Sequence, residues 1–250
     1  MIRPVAERAA GGHAAVDPVL RRLPSAAWHT LPALAILGVV NVAAYVGAGW
    51  LLGPGSPLTW IAVGVVVAPP LAWAIDRLQG ELFELDDRRP GLGSRLAVAW
   101  TCTLALCVLA AWSSFVAAVA DASGSPFFQV LAVAGTVLVA VAALVAAVAV
   151  PLGSTRADVR VRTIVLVAFL AAVRRPLGPI AAVAATAAVV WLGLTWFTGL
   201  LALAASVFAV LAVACAWPTL TAFGVALPPL APLRSRRSGA PVTLVTQGEA

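Results

Sequence analysis

The chain of 250 residues contains no lysine: all sixteen of its basic residues are arginines. Without lysine there is no P-loop, because the phosphate-cradling motif needs that side chain on the β/γ-phosphates. Histidine occurs twice, at His13 and His29. Neither an HExxH pair nor a Ser/His/Asp constellation can be assembled from them. The three cysteines, Cys102, Cys107 and Cys215, lie inside apolar stretches with no CxxC spacing and no histidine close by. That excludes a zinc knuckle and a disulfide framework and leaves them as small buried hydrophobes. Charged residues make up only 10% of the chain. No acidic or basic residue falls near the middle of an apolar run, so a carboxylate relay of the kind proton-coupled pumps use has no residues to run through. Gly91-Leu92-Gly93-Ser94-Arg95-Leu96 is the nearest approach to a dinucleotide fingerprint. It lacks the third glycine and follows a charged loop instead of a strand. No catalytic, cofactor-binding or metal-binding set emerges, and the expectation is a protein without enzymatic activity.

What is abundant is apolar. Hydrophobic residues make up 62% of the chain and the mean hydropathy is +1.02, more than a soluble exterior can carry. Apolar runs of about 18 residues or more recur, each long enough to cross a hydrocarbon core of about 30 Å as a helix. The expected fold is all-α, with six transmembrane helices over residues 28–52, 58–74, 96–120, 127–150, 180–196 and 200–217. Gly53-Pro54-Gly55-Ser56-Pro57, the segment 121–126 and Phe197-Thr198-Gly199 supply the intervening tight turns. Residues 163–173 are apolar but would cover only about 16 Å, and Arg162 and Arg174-Arg175 bracket them; they read as an interfacial helix. Residues 1–26 are expected to be a flexible segment, with a short surface helix possible around Ala14–Leu23, and 219–250 a tail rich in proline and arginine. The run after Arg21 and Arg22 is too long for a signal-peptide core, so it is expected to stay as an anchor.

The arginines orient this layout. They cluster at Arg3, Arg8, Arg21 and Arg22; at Arg77, Arg88, Arg89 and Arg95; at Arg156, Arg160, Arg162, Arg174 and Arg175; and at Arg234, Arg236 and Arg237. Six crossings put all four clusters on one side, and the bias of basic loops toward the cytoplasm places both termini there. The bilayer is the expected partner and nucleic acid is not, since no basic face interleaved with aromatics exists. The lysine-free, Ala/Val/Leu/Gly/Pro/Arg-rich composition suggests an actinobacterial genome and a bacterial cytoplasmic membrane. Trp50, Trp60 and Trp196 fall near one predicted boundary and Trp28, Trp73 and Trp217 near the other, as amphipathic rings prefer. Trp112 and Trp191 fall deeper, where packing between helices is expected.

Within the spans, Asn41 and Tyr45 stand one helical turn apart. They can line a polar cavity or, more simply, hydrogen-bond a neighbouring helix. Pro69 and Pro70 should kink the second span, because proline lacks a donor and crowds the preceding turn. Thr101, Ser113, Ser114 and Thr136 are expected to bond local carbonyls, and Gly38, Gly47 and Gly135 to let helices approach closely.

The order of these features resembles the YesL-like family of small bacterial integral membrane proteins. The resemblance covers about residues 27–218. It rests on Asn41 in the first span, Ala68-Pro69-Pro70-Leu71-Ala72 followed by Asp76-Arg77-Leu78-Gln79-Gly80-Glu81 in the second, and Arg174-Arg175-Pro176-Leu177 before the last hairpin. It implies an accessory role in carbohydrate uptake, with transporter subunits as partners. The alternative is a permease subunit of the ABC-2 type. An importer permease is disfavoured because 152–176 shows no EAA-type coupling segment.

Overall fold

A computed structural model describes residues 18–53, 56–84, 92–155, 159–225 and 227–231. Arg3, Arg8, Arg88, Arg89, Arg156, Arg234, Arg236 and Arg237 lie outside the described residues. The elements are α1 (Pro18–His29), α2 (Leu31–Leu52), α3 (Pro57–Leu82), α4 (Leu92–Ser123), α5 (Pro126–Thr155), α6 (Val161–Arg174), α7 (Leu177–Thr195), a short 3-10 turn at Thr198–Leu200, and α8 (Leu201–Ala222). Six of the helices are long and apolar enough to cross a membrane, and no strand forms among the described residues.

The helices outrun the apolar segments that announce them. α3 continues to Leu82, past Ala74, and α4 starts at Leu92 rather than Leu96. α5 passes through Pro151 to Thr155, and α8 runs to Ala222. Hydropathy marks where lipid-compatible surface stops; backbone hydrogen bonding continues wherever nothing breaks it. The first span instead begins later than expected, at Leu31. Pro32 offers no N–H to the Trp28 carbonyl, so the helix must restart. Thr30 fills the break, its hydroxyl donating to the Ala26 carbonyl at 2.9 Å. Residues 18–29 before it form helix α1, which packs on the bundle through Val19 and Ala26, both buried. The segment expected to be flexible as far as residue 26 is therefore helical from Pro18 onward.

α2 with α3, α4 with α5 and α7 with α8 are antiparallel hairpins. The described arginines all fall at one end of the bundle. There Arg95 of α4 pairs with Asp76 of α3 at 2.7 Å, and Arg77 lies over Trp73 with 5.8 Å to the ring centroid. α6 crosses this end. Thr163, Ile164 and Val167 border a space of about 400 Å³ with Leu152 of α5 and with Gly224 and Val225. At the far end of the same helix, Arg174 sits over the Phe223 ring, 5.0 Å from its centroid. Both ends of α6 thus lie level with the end of α8.

The chain then turns at Gly224, whose φ of 84° is open to glycine, and returns as an extended strap. Phe83 and Leu230 form an isolated antiparallel bridge. The Glu84 N–H donates to the Pro229 carbonyl at 2.9 Å and the Ala231 N–H to the Leu82 carbonyl at 3.0 Å. Arg22 of α1 donates to the Ala231 carbonyl. Phe83 stacks on Trp217 beneath, with centroids 4.5 Å apart.

The hairpins differ in reach. At about 1.5 Å per residue, α4 and α5 are about 48 and 45 Å long, whereas α7 is only about 28 Å. The α7–α8 turn is also set low. Leu201 and Ala202, at the start of α8, meet Asn41 and Gly38 in the middle of α2, and Ser206 donates to the Leu34 carbonyl at 2.7 Å. Val42 to Leu52 continue about 16 Å beyond that level.

Candidate functional site

Asn41 and Tyr45 do two things at once. The Asn41 amide Nδ2 donates to the Leu201 carbonyl of α8 at 2.7 Å, the interhelical bond expected of it. Both residues also line a cavity of about 200 Å³ bordered by α2, α3, α4, α5, α7 and α8. Tyr45 packs against Trp60 of α3, ring centroids 5.8 Å apart, and Trp60 lines the cavity too. Thr103 of α4 and Thr186 of α7 add hydroxyls; the latter is spent on the Ala182 carbonyl at 2.8 Å. The remaining described lining is hydrocarbon: Val63, Leu71, Leu106, Ala146, Val150, Val190, Leu201, Ala204, Ala205 and Phe208. No carboxylate, arginine or histidine is among these side chains. Such walls hold apolar matter and give no footing to a charged substrate.

Pro69 and Pro70 sit inside α3, which runs as one helix from Pro57 to Leu82. The ring nitrogen of Pro69 cannot donate to Val65, four residues earlier. The vacated carbonyl is taken by α4, whose Trp100 indole N–H lies 3.3 Å away. In an apolar solvent such a repair from a neighbouring helix is what makes an internal proline tolerable. Trp100 was missed by sequence reasoning. The signal for it was present in the carbonyl that Pro69 must strand, but nothing linear says which helix answers it.

A second polar cluster also escaped notice. Gln79 of α3 and Ser154 of α5 are buried. Gln79 Nε2 donates to the Pro151 carbonyl at 2.9 Å, its Oε1 accepts from the Ser154 hydroxyl, and that hydroxyl also lies 2.8 Å from the Pro151 carbonyl. The side-chain amide is thereby satisfied at both ends, as burial demands. This clamps α3 to α5 beneath the strap.

Other expectations resolve residue by residue. Thr101, Ser114 and Thr136 bond carbonyls four residues back, at 2.7, 2.8 and 3.0 Å, whereas Ser113 reaches the Thr136 hydroxyl at 3.4 Å. Gly38 and Gly135 are at close approaches; Gly47 has nothing within 4 Å of where a Cβ would stand, so it serves no contact. Trp191 is 61% exposed and faces outward instead of packing between helices, and Trp112 is also exposed, although its ring edge touches Gly135. All three cysteines are free. Among the described residues, no group of three or more His, Cys, Asp or Glu is placed to hold a metal.

Six apolar helices around an apolar cavity are consistent with an integral, multi-pass membrane protein in a lipid bilayer. In comparisons with family models, curated proteins and solved structures the chain finds no match.

Proposed function

We propose that the chain is a multi-pass protein of a bacterial cytoplasmic membrane, with both termini in the cytoplasm, acting as a non-enzymatic accessory of a carbohydrate-uptake transporter. The observation that carries this reading is the end of the bundle where every described arginine gathers. There α1, α6 and the strap lie across the helix termini as a layer, leaving Arg21, Arg162, Arg174 and Arg175 exposed. Such a layer is a surface for a partner, and its charge belongs on the cytoplasmic side. The opposite end carries Asp121 and turns of small and apolar residues. The resemblance to YesL-like proteins supplies the class of partner. In this placement α6 rests at the membrane surface: Leu166, Phe169, Leu170 and Val173 are exposed for acyl chains, and the flanking arginines for headgroups.

Affinity purification from native membranes is expected to recover sugar-transporter components. A second reading, a membrane subunit of an ABC-2-type transporter, is favoured by α6 lying across the arginine-bearing end, where an ATP-hydrolysing partner would dock. Stoichiometric recovery of an ATP-binding subunit, with transport lost on deletion, would select it. The orientation has its own test. With Cys102, Cys107 and Cys215 replaced by alanine, Ser123→Cys should react with a membrane-impermeant maleimide from outside and Ser25→Cys only after permeabilisation. The reverse pattern sinks the topology.

A further inference from the structure

We propose that the central cavity is a binding site for one acyl chain of a bilayer lipid, which enters sideways over the low α7–α8 turn. The stagger of the hairpins makes the entrance. α2 and α3 on one side and α4 and α5 on another rise past the level of Leu201, whereas α7 and α8 stop there. Leu201, at that turn, is itself part of the cavity wall. In a membrane this gap faces lipid: Trp191, Leu194, Trp196 and Phe197 on the short hairpin are all exposed, and none of them carries a charge.

Size and chemistry fit a chain. A volume of about 200 Å³ exceeds the roughly 150 Å³ at which an apolar cavity stays dry and accepts a benzene-sized hydrocarbon. Walls of this composition cannot satisfy several waters, and the most concentrated apolar ligand in a bilayer is the lipid chain itself. A phenol on the wall, that of Tyr45, is placed to orient it. The Tyr45 hydroxyl makes no hydrogen bond among the described residues, while its ring lines the cavity on the side away from the arginines. A phenol there can donate to an ester carbonyl of the lipid, which has no proton to give in return. The chain would then lie along Val63, Leu106 and Ala205, its ester beside Tyr45.

The test uses the full-length protein in phosphatidylglycerol/phosphatidylethanolamine vesicles doped with a phosphatidylglycerol that carries a diazirine near the end of one acyl chain. After irradiation, peptide mass spectrometry is expected to find adducts within Val63, Leu106 and Ala205 as well as on lipid-facing Val130 and Val133 of α5. Ala205→Phe, which fills the cavity, should cut the internal adducts about tenfold and leave those on α5 unchanged. Tyr45→Phe should lower internal labelling two- to fivefold. Val190→Trp blocks the same space from α7 and serves if the first filling variant does not fold; a preserved thermal unfolding midpoint certifies either one. Adducts confined to the outer faces of the helices, or internal labelling that survives both filling variants, would overturn the proposal.

Discussion

At Gly38 the backbone of another helix stands where a side chain would begin. A Cβ there would lie 2.5 Å from the Ala202 carbonyl oxygen, and a backbone atom cannot swing aside as a side chain can. Gly38→Ala should therefore force α2 and α8 apart, lengthen the Asn41 to Leu201 bond nearby, and cost about 1–3 kcal/mol, as overpacking usually does. Gly47, about two and a half turns on and open around its Cα, is the control: Gly47→Ala should be neutral or stabilise slightly, because alanine is the better helix former. Unfolding of the two variants in mixed micelles measures the difference. Equal midpoints would mean that the α2–α8 approach is looser than described. Trp100 makes a second prediction at this scale. If its indole serves the carbonyl that Pro69 strands, then Trp100→Phe should destabilise by about 0.6–2 kcal/mol. The same change should cost much less in a Pro69→Ala background, where the restored N–H at position 69 reclaims the Val65 carbonyl. A double-mutant cycle reads this coupling directly, and strict additivity would show that the 3.3 Å contact does not stabilise the helix pair.

At the scale of elements, the sequence announced what depends on composition and concealed what depends on contact. Six apolar helices were legible because each must be about 20 residues of hydrocarbon surface. The apolar run between Arg162 and Arg174 was too short for a span, and the helix found there covers Val161–Arg174. Asn41 was legible as a polar residue in an apolar run, and the bond to Leu201 is the dull answer that such a residue usually has. The cavity beside it was not. It arises because α7 and α8 are set low against α2, and that offset depends on Gly38 meeting Ala202 across a long stretch of sequence. Gln79 looked like one more polar residue in a charged exit, yet it is buried and clamped to α5. Nothing in the linear pattern says that a second helix covers it. The helices outrun the apolar spans for the same reason: Asp76 and Arg77 end the apolar run, but the helix carrying them continues to Leu82 inside a shell made by α1, α8 and the strap.

For the whole molecule, that shell decides how the two halves of the chain stay together. The first hairpin and the last are joined near the α7–α8 turn by Asn41, and at the arginine-bearing end by the strap. Residues 227–231 reach back across α8 to Leu82–Glu84, where two backbone hydrogen bonds and the Arg22 donor hold them. Each backbone bond is worth roughly 0.5–1.5 kcal/mol net, and the strap also covers Phe83, which is buried. A chain ending at Val225 should therefore be less stable than one ending at Ala231 by about 2–4 kcal/mol. Its tryptophan emission should shift to the red as water reaches Trp217, which stacks on Phe83. Arg22→Ala in the longer chain should reproduce only a small part of the loss, because it removes one donor and leaves both backbone bonds. The comparison between the two chain ends isolates the strap. Equal unfolding midpoints and unchanged emission would mean that α3 and α8 hold this end closed by themselves, and that the strap rests on the bundle without bracing it.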